Sequence, residues 1–95
     1  MPPAVHPGRF LKRELQARGL SASQLALDIG VPSGRITDIL NERRAITADT
    51  AYRLGLYFGN SPQFWLDLQS QYELARLEHE KGREIAERVR PAKAS

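Results

Sequence analysis

The chain has 95 residues, with 14 lysines and arginines against 11 acidic residues and no cysteine. This length suits one domain, and the missing thiols exclude disulfides, cysteine-ligated zinc and thiol catalysis. No segment approaches the roughly 18 to 20 apolar residues of a membrane span, and the N-terminus lacks the apolar run of a signal peptide. We therefore expect a soluble, cytoplasmic protein that does not enter a membrane.

The positive charge is unevenly distributed along the chain. Residues 1–60 contain eight basic and five acidic residues, whereas residues 61–95 contain six of each. A polyanion such as nucleic acid would be attracted to the first part. A net charge of +3 is also ordinary for a small domain, so charge alone does not decide the partner.

The first two predicted helices are short and have clear ends. The first covers about residues 6–18, with Pro7 at the first helical position and Gly19 as its stop. The second follows Ser21, a favourable N-cap, and ends at Gly30. Each has one apolar face, so both are expected to pack on a common core.

The third predicted helix, about residues 32–41, has a narrow apolar stripe. Ile36, Ile39 and Leu40 follow the i, i+3, i+4 spacing of a buried face. The opposite face carries small and polar groups. A short helix of this kind, following another short helix and a tight turn, suits insertion into a DNA major groove. Residues 20–44 therefore predict a helix-turn-helix unit.

Two further helices are predicted in the second half. Thr47 is the N-cap of the fourth, and Ser61 followed by Pro62 is a strong start signal for the fifth. Trp65 is expected to anchor the core. The charged segment after residue 73 either extends the fifth helix or forms a short sixth helix, and the pattern leaves both open.

These elements predict an all-α fold in three parts. Residues 1–5 are expected to be a disordered arm, residues 6–77 the helix-turn-helix domain, and residues 78–95 a charged helical tail that frays after residue 90.

The sequence resembles the HigA family of antitoxins, within the Xre or lambda-repressor-like helix-turn-helix class. The resemblance covers about residues 6–77 and rests on several runs. These are His6-Pro7-Gly8, Gly19-Leu20-Ser21 with Leu25-Ala26, Arg35-Ile36, Ile39-Leu40-Asn41, the run from Arg43-Arg44-Ala45-Ile46 to Thr47-Ala48-Asp49-Thr50-Ala51, and Ser61-Pro62-Gln63-Phe64-Trp65-Leu66-Asp67-Leu68-Gln69.

The resemblance implies a five-helix lambda-repressor-like domain with a C-terminal helical extension. It also implies a homodimer that binds a palindromic operator in double-stranded DNA and represses its own operon. The expected protein partner is a small RelE-like toxin, HigB, which is typically an mRNA endonuclease. The chain itself would carry no catalysis and no cofactor.

Two positions depart from the pattern of the class. Relatives often have Gln just after the second helix's N-cap, where it binds a phosphate, and this chain has Ala22. The loop after the third helix commonly carries Gly, and this chain has Glu42. An acid near DNA is unfavourable unless Arg43 or Arg44 pairs with it.

Family position and helix geometry together assign the DNA-facing residues. The expected base-reading residues are Ser33, Gly34, Arg35, Thr37 and Asp38. The expected phosphate-binding residues are Ser21, Ser23, Asn41, Arg43 and Arg44.

Three of the base-reading assignments leave alternatives open. Arg35 either reads a guanine or contacts a phosphate. Asp38 either accepts from a cytosine amino group or pairs with Arg35 or Arg43. Thr37 either contacts a thymine methyl or donates a hydrogen bond.

A two-fold dimer would place two reading helices about 34 Å apart on a palindrome. The predicted dimer interface is the fifth helix and the tail, where apolar residues otherwise lack cover. Its residues are Trp65, Leu68, Tyr72, Leu74, Leu77 and Ile85.

Other functions are less well supported by the sequence. His6 and His79 are far apart and lack metal-ligand spacing, and no nucleophile or phosphate-loop motif is present. We therefore predict neither an enzyme nor a metal site. The remaining alternatives are a stand-alone Xre-type dimeric repressor without a toxin, and a protein-binding module in which the helix-turn-helix is only a scaffold.

Overall fold

The structure is a computed structural model that describes residues 4–93. Over that range it contains five helices and no strand: α1 (Pro7–Arg18), α2 (Ala22–Ile29), α3 (Ser33–Leu40), α4 (Ala48–Phe58) and α5 (Pro62–Arg88). The all-α, five-helix prediction is confirmed. The outer parts of the predicted arm and tail, residues 1–3 and 94–95, lie outside the described residues.

Local side-chain caps explain where three of the helices begin. The hydroxyls of Ser21, Thr47 and Ser61 accept backbone N–H groups at the starts of α2, α4 and α5. Each cap satisfies a donor that has no partner within its helix. All three were predicted as N-caps from the sequence.

The start of α1 is fixed by a buried histidine and a close crossing. His6 Nδ1 accepts the N–H of Gly8 at 2.9 Å, and its ring meets Tyr72 edge-on at 4.9 Å between centroids. A Cβ atom on Gly8 would collide with the carbonyl oxygen of Ile39. This contact holds the N-terminus of α1 against the end of α3.

Trp65 is the largest fully buried side chain and lies at the centre of the core. Its ring packs against Phe10, Phe58 and Phe64, and its Nε1–H donates to Asn60 Oδ1 at 2.8 Å. A side chain with no exposed surface cannot contact a second copy. Trp65 is therefore removed from the predicted dimer interface and remains the core anchor.

The last helix is longer than its apolar pattern required. α5 runs without a break for 27 residues, so the charged segment extends the fifth helix and no sixth helix forms within the described part. The predicted boundary between residues 77 and 78 lies inside this helix. At 1.5 Å per residue α5 is about 40 Å long, which accounts for most of the molecule's 52 Å length.

The end of α5 projects beyond the core and carries exposed apolar side chains. Leu74, Leu77 and Ile85 are 59%, 44% and 39% exposed, and their spacing puts them on one helical face. No helix within residues 4–93 is both long enough and apolar enough to cross a bilayer.

Candidate nucleic-acid interface

The α2–turn–α3 unit presents one polar helical face to solvent. Ile36 and Ile39 are fully buried against α1 and α2. The five predicted base-reading residues lie on the remaining surface of α3. Ser33, Gly34 and Thr37 are exposed, while Arg35 and Asp38 are half-buried. The buried stripe thus orients α3 so that its polar residues are accessible.

The first turn of α3 is open. Its N-cap is Pro32, which offers no side-chain oxygen to the amides that follow. A Cβ atom on Gly34 would meet nothing within 4 Å. Unpaired amides and the positive end of the helix dipole favour an anion there.

Thr37 Oγ1 donates to the Ser33 carbonyl at 3.1 Å, so its methyl group is left for an apolar contact.

Asp49, in the first turn of α4, joins two arginines. Its Oδ2 accepts from Arg35 Nη1 at 2.6 Å and from Arg53 Nε at 3.0 Å. The two guanidinium groups lower the pKa of the Asp49 carboxyl below its ordinary value. Sequence reasoning did not identify Asp49 as a partner of the reading helix.

Asp38 pairs with Arg44, at 3.3 Å between Oδ2 and Nη2. The alternative that Asp38 bridges Arg35 or Arg43 is therefore wrong for this structure. Arg35 is already paired with Asp49, and the described residues offer Arg43 no ion-pair partner.

The predicted phosphate-binding residues lie at two places around α3. Ser21 and Ser23 are at the start of α2, where the Ser21 hydroxyl accepts the N–H of Gln24 at 3.1 Å. Asn41, Arg43 and Arg44 follow the end of α3, and all three are exposed. The predicted set therefore consists of hydroxyl groups at the start of α2 and of amide and cationic groups after the end of α3.

The turn after α3 contains the strained residue of this surface. Glu42 has a φ of 61°, and it is the single non-glycine residue with positive φ among those described. Its N–H donates to the Ile39 carbonyl, and the Arg43 N–H donates to the Asp38 carbonyl at 2.8 Å. These bonds form a Schellman motif, which favours Gly at this position. The carboxylate pairs with Arg9 at 3.5 Å, and neither Arg43 nor Arg44 supplies the expected partner.

A buried glutamine fixes the loop that carries these arginines. Gln69 is 6% exposed, and its Oε1 accepts the Ile46 N–H at 2.9 Å. Its position four residues after Trp65, on the core face of α5, was the signal that could have identified it. Gln69 thereby connects the loop before α4 to the core.

Residues 4–93 contain no group of three or more His, Cys, Asp or Glu side chains that could hold a metal ion. The polar groups of α3 are suited to hydrogen bonding and charge recognition.

Comparisons with known proteins agree with this geometry. The chain matches the helix-turn-helix family over residues 11–65. It is 49% identical over 80 residues to virulence-associated protein I of Dichelobacter nodosus, covering 83% of this chain and 74% of that protein.

Two solved structures are similar over nearly the whole chain. An addiction-module antidote protein of the HigA family from Coxiella burnetii is 42% identical, with a TM-score of 0.92 over 96% of this chain and 100% of that one. Antitoxin HigA of Pseudomonas aeruginosa, solved with the higBA promoter, is 40% identical, with a TM-score of 0.89 over 95% of this chain and 99% of that one.

The fold, with the exposed polar face of α3, is that of the helix-turn-helix class, which is a class of DNA-binding regulators and not of enzymes. The chain belongs to the Xre-like helix-turn-helix family, and its structural neighbours are HigA-family antitoxins. The family resemblance found in the sequence is confirmed.

Proposed function

We propose that this chain is an antitoxin that represses its own operon and neutralises a small RelE-like toxin. The observation that supports this most strongly is the near-complete match to a HigA antitoxin solved with its promoter. The exposed polar face of α3 and the arginines after it supply the matching surface in this chain. The protein would act in the cytoplasm, where operator DNA and a ribosome-directed toxin are both found.

In this proposal α3 enters the major groove of a palindromic operator. Ser33, Gly34, Arg35, Thr37 and Asp38 face the base edges. The Thr37 methyl group is the part available for a thymine contact, because its hydroxyl hydrogen is used within the helix. Ser21, Ser23, Asn41, Arg43 and Arg44 contact phosphates on either side and position the helix without reading sequence.

The proposed homodimer uses the projecting half of α5. Leu74, Leu77 and Ile85 share one face and are substantially exposed in a single chain. Leu68 and Tyr72, the other predicted interface residues, are half-buried on the core-facing side of α5 and do not share this row. Burying such a row against a second copy removes apolar surface from water and places two reading helices on one palindrome.

The proposal is tested by co-expressing the chain with each small open reading frame that flanks its gene. We expect one flanking product to arrest growth alone, and to become harmless and copurify when the chain is present. If neither neighbour is toxic or bound, the chain is a stand-alone dimeric repressor without a toxin.

DNA binding is tested separately with Arg43→Gln and the matched control Arg83→Gln, two exposed arginines at different ends of the molecule. The slope of log affinity against log salt concentration is negative. Losing one phosphate contact in each protomer makes this slope less steep, by about 0.9 per protomer. We expect this change for Arg43→Gln alone. An unchanged slope for Arg43→Gln would contradict the phosphate assignment, and salt-independent binding would contradict DNA recognition altogether.

A further inference from the structure

The Arg35–Asp49 contact differs from the other ion pairs of the described chain. Its N–O distance of 2.6 Å is the shortest of them, and the Arg35 side chain, 30% exposed, is the least exposed arginine in any of these pairs. Like the Arg9–Glu42 pair, the contact is not local, since it joins α3 to α4 across fourteen positions. Asp49 is 55% exposed, so only the arginine side of the pair is partly shielded from solvent, and Arg35 has less side-chain freedom to lose than the more exposed arginines do.

Asp49 is itself held in place from the other side. Arg53 Nε donates to the same Oδ2 atom at 3.0 Å. Arg53 Nη1 in turn donates to the carbonyl oxygens of Ile29 at 2.8 Å and Gly30 at 3.2 Å, at the end of α2. The carboxylate that holds Arg35 is therefore connected, through Arg53, to the end of α2.

The pair leaves part of the Arg35 guanidinium available. A guanidinium carries five N–H donors in one plane, and a guanine needs two of them for its O6 and N7 atoms. Within residues 4–93 the one hydrogen-bond partner found for this group is Asp49, which engages Nη1. Fixing one nitrogen of a planar group limits the directions in which the remaining donors can point.

We propose that Asp49 is the positioning residue that makes Arg35 a base reader, holding its guanidinium so that the unpaired donors meet a guanine in the major groove. The inference rests on the proposed DNA binding by α3. It selects the base-reading alternative for Arg35 over the phosphate contact. Asp49 itself touches no base, and it acts through the side chain that it orients.

The charge of Asp49 gives this positioning a second effect. The carboxylate is exposed and lies beside a surface proposed to meet phosphates, so it weakens binding to any DNA. On a sequence that offers guanine at the right place, the oriented Arg35 compensates for that repulsion. On other sequences the repulsion remains, so Asp49 widens the difference between operator and non-operator DNA.

The test compares Asp49→Asn with wild type on two duplexes. The operator is first located by footprinting wild type on the DNA upstream of the gene for this chain. One duplex contains that operator, and the other is a scrambled duplex of equal length and composition. We expect operator binding to weaken about two- to tenfold, which corresponds to the entropy of immobilising one long side chain. Binding to the scrambled duplex should stay equal or tighten. Glu14→Gln, which removes a carboxylate paired with Arg18 on α1, should change neither.

A double-mutant cycle separates positioning from a simple change of charge. In an Arg35→Ala background, Asp49→Asn should no longer weaken operator binding, because the side chain that it orients is gone. Arg35→Lys keeps the charge but lacks the planar fork, and we expect it to lose operator affinity without losing affinity for the scrambled duplex. This variant also tests the inference if Asp49→Asn proves too unstable to assay.

If Asp49→Asn weakened binding to both duplexes equally, the inference would be overturned, since Arg35 would then be a phosphate contact. Tighter binding to both would overturn it as well, leaving Asp49 as a source of repulsion only. If wild type itself does not distinguish the two duplexes, the proposed DNA recognition fails and the inference fails with it.

Discussion

Glu42 shows how one residue can be held in an unfavourable backbone conformation by its neighbours. The left-handed region costs a non-glycine residue about 1 to 2 kcal/mol relative to its preferred conformations. The two Schellman hydrogen bonds and the packed end of α3 require that conformation here. The ion pair with Arg9, at 3.5 Å between exposed side chains, offsets little of this cost.

We predict that Glu42→Gly stabilises the fold by about 0.5 to 1 kcal/mol, since relief of the left-handed strain exceeds the extra flexibility of glycine when unfolded. The thermal midpoint should rise by several degrees in calorimetry. The same substitution inside α5, Glu73→Gly, should lower the midpoint. Glu42→Gln removes the ion pair but keeps the left-handed backbone strain, so its effect on stability should be nearly neutral. A stabilisation equal to that of Glu42→Gly would contradict this explanation.

At the scale of the helices, local signals predicted most of the architecture. Ser21, Thr47 and Ser61 mark helix starts because each cap depends only on residues within one turn. The buried stripe of α3 follows from three side chains with helical spacing. The fold class and the exposed face of the reading helix could therefore be deduced from the sequence.

The remaining features depend on contacts between helices, which spacing does not encode. Arg35 meets Asp49 only because α3 and α4 are brought together in the folded chain. Trp65 lost its predicted interface role because aromatic rings from three helices enclose it. The continuous α5 could not be distinguished from two helices, because charged residues satisfy either arrangement and Gly82 is tolerated within a helix.

The N-cap of α1 makes folding sensitive to mild acid. Burial lowers the pKa of His6 below 6.5, an effect that nearby Glu42 and the Arg44 backbone only partly oppose. The neutral ring accepts the Gly8 N–H through Nδ1, and a protonated ring cannot. Below pH 6.5 the unfolded chain takes up a proton on His6 that the folded chain resists. The stability that the neutral His6 cap contributes is therefore present above that pH and is lost as pH falls.

We predict that the free energy of unfolding decreases between pH 7 and pH 5, no more steeply than the one-proton limit of about 1.4 kcal/mol per pH unit. Urea denaturation at several pH values measures it. His6→Asn keeps a capping oxygen but removes the titrating group and should flatten the profile, whereas His79→Gln, an exposed control on α5, should not. An equally steep profile for His6→Asn would assign the effect to other groups.

At the scale of the whole molecule, a compact group of helices is joined to one projecting helix. The exposed row of Leu74, Leu77 and Ile85 on α5 is the predicted homodimer interface. Leu74→Lys with Leu77→Lys should yield a folded monomer in sedimentation at tens of micromolar and weaken operator binding, because both side chains are already exposed in one chain. Leu56→Lys, a leucine 73% exposed on α4, is the control. If Leu56→Lys separates the protomers and the α5 substitutions do not, the homodimer interface lies on α4 instead.

The projecting end of α5 also implies a gradient of backbone protection along a single helix. Amides near Trp65 are covered by the core and should exchange with deuterium only when the whole domain unfolds. Amides of the last turns, with no tertiary cover in one chain, should exchange by local fraying. A partner that docks on α5 would slow exchange there first, and the residue at which protection rises would mark how far along the helix that partner reaches.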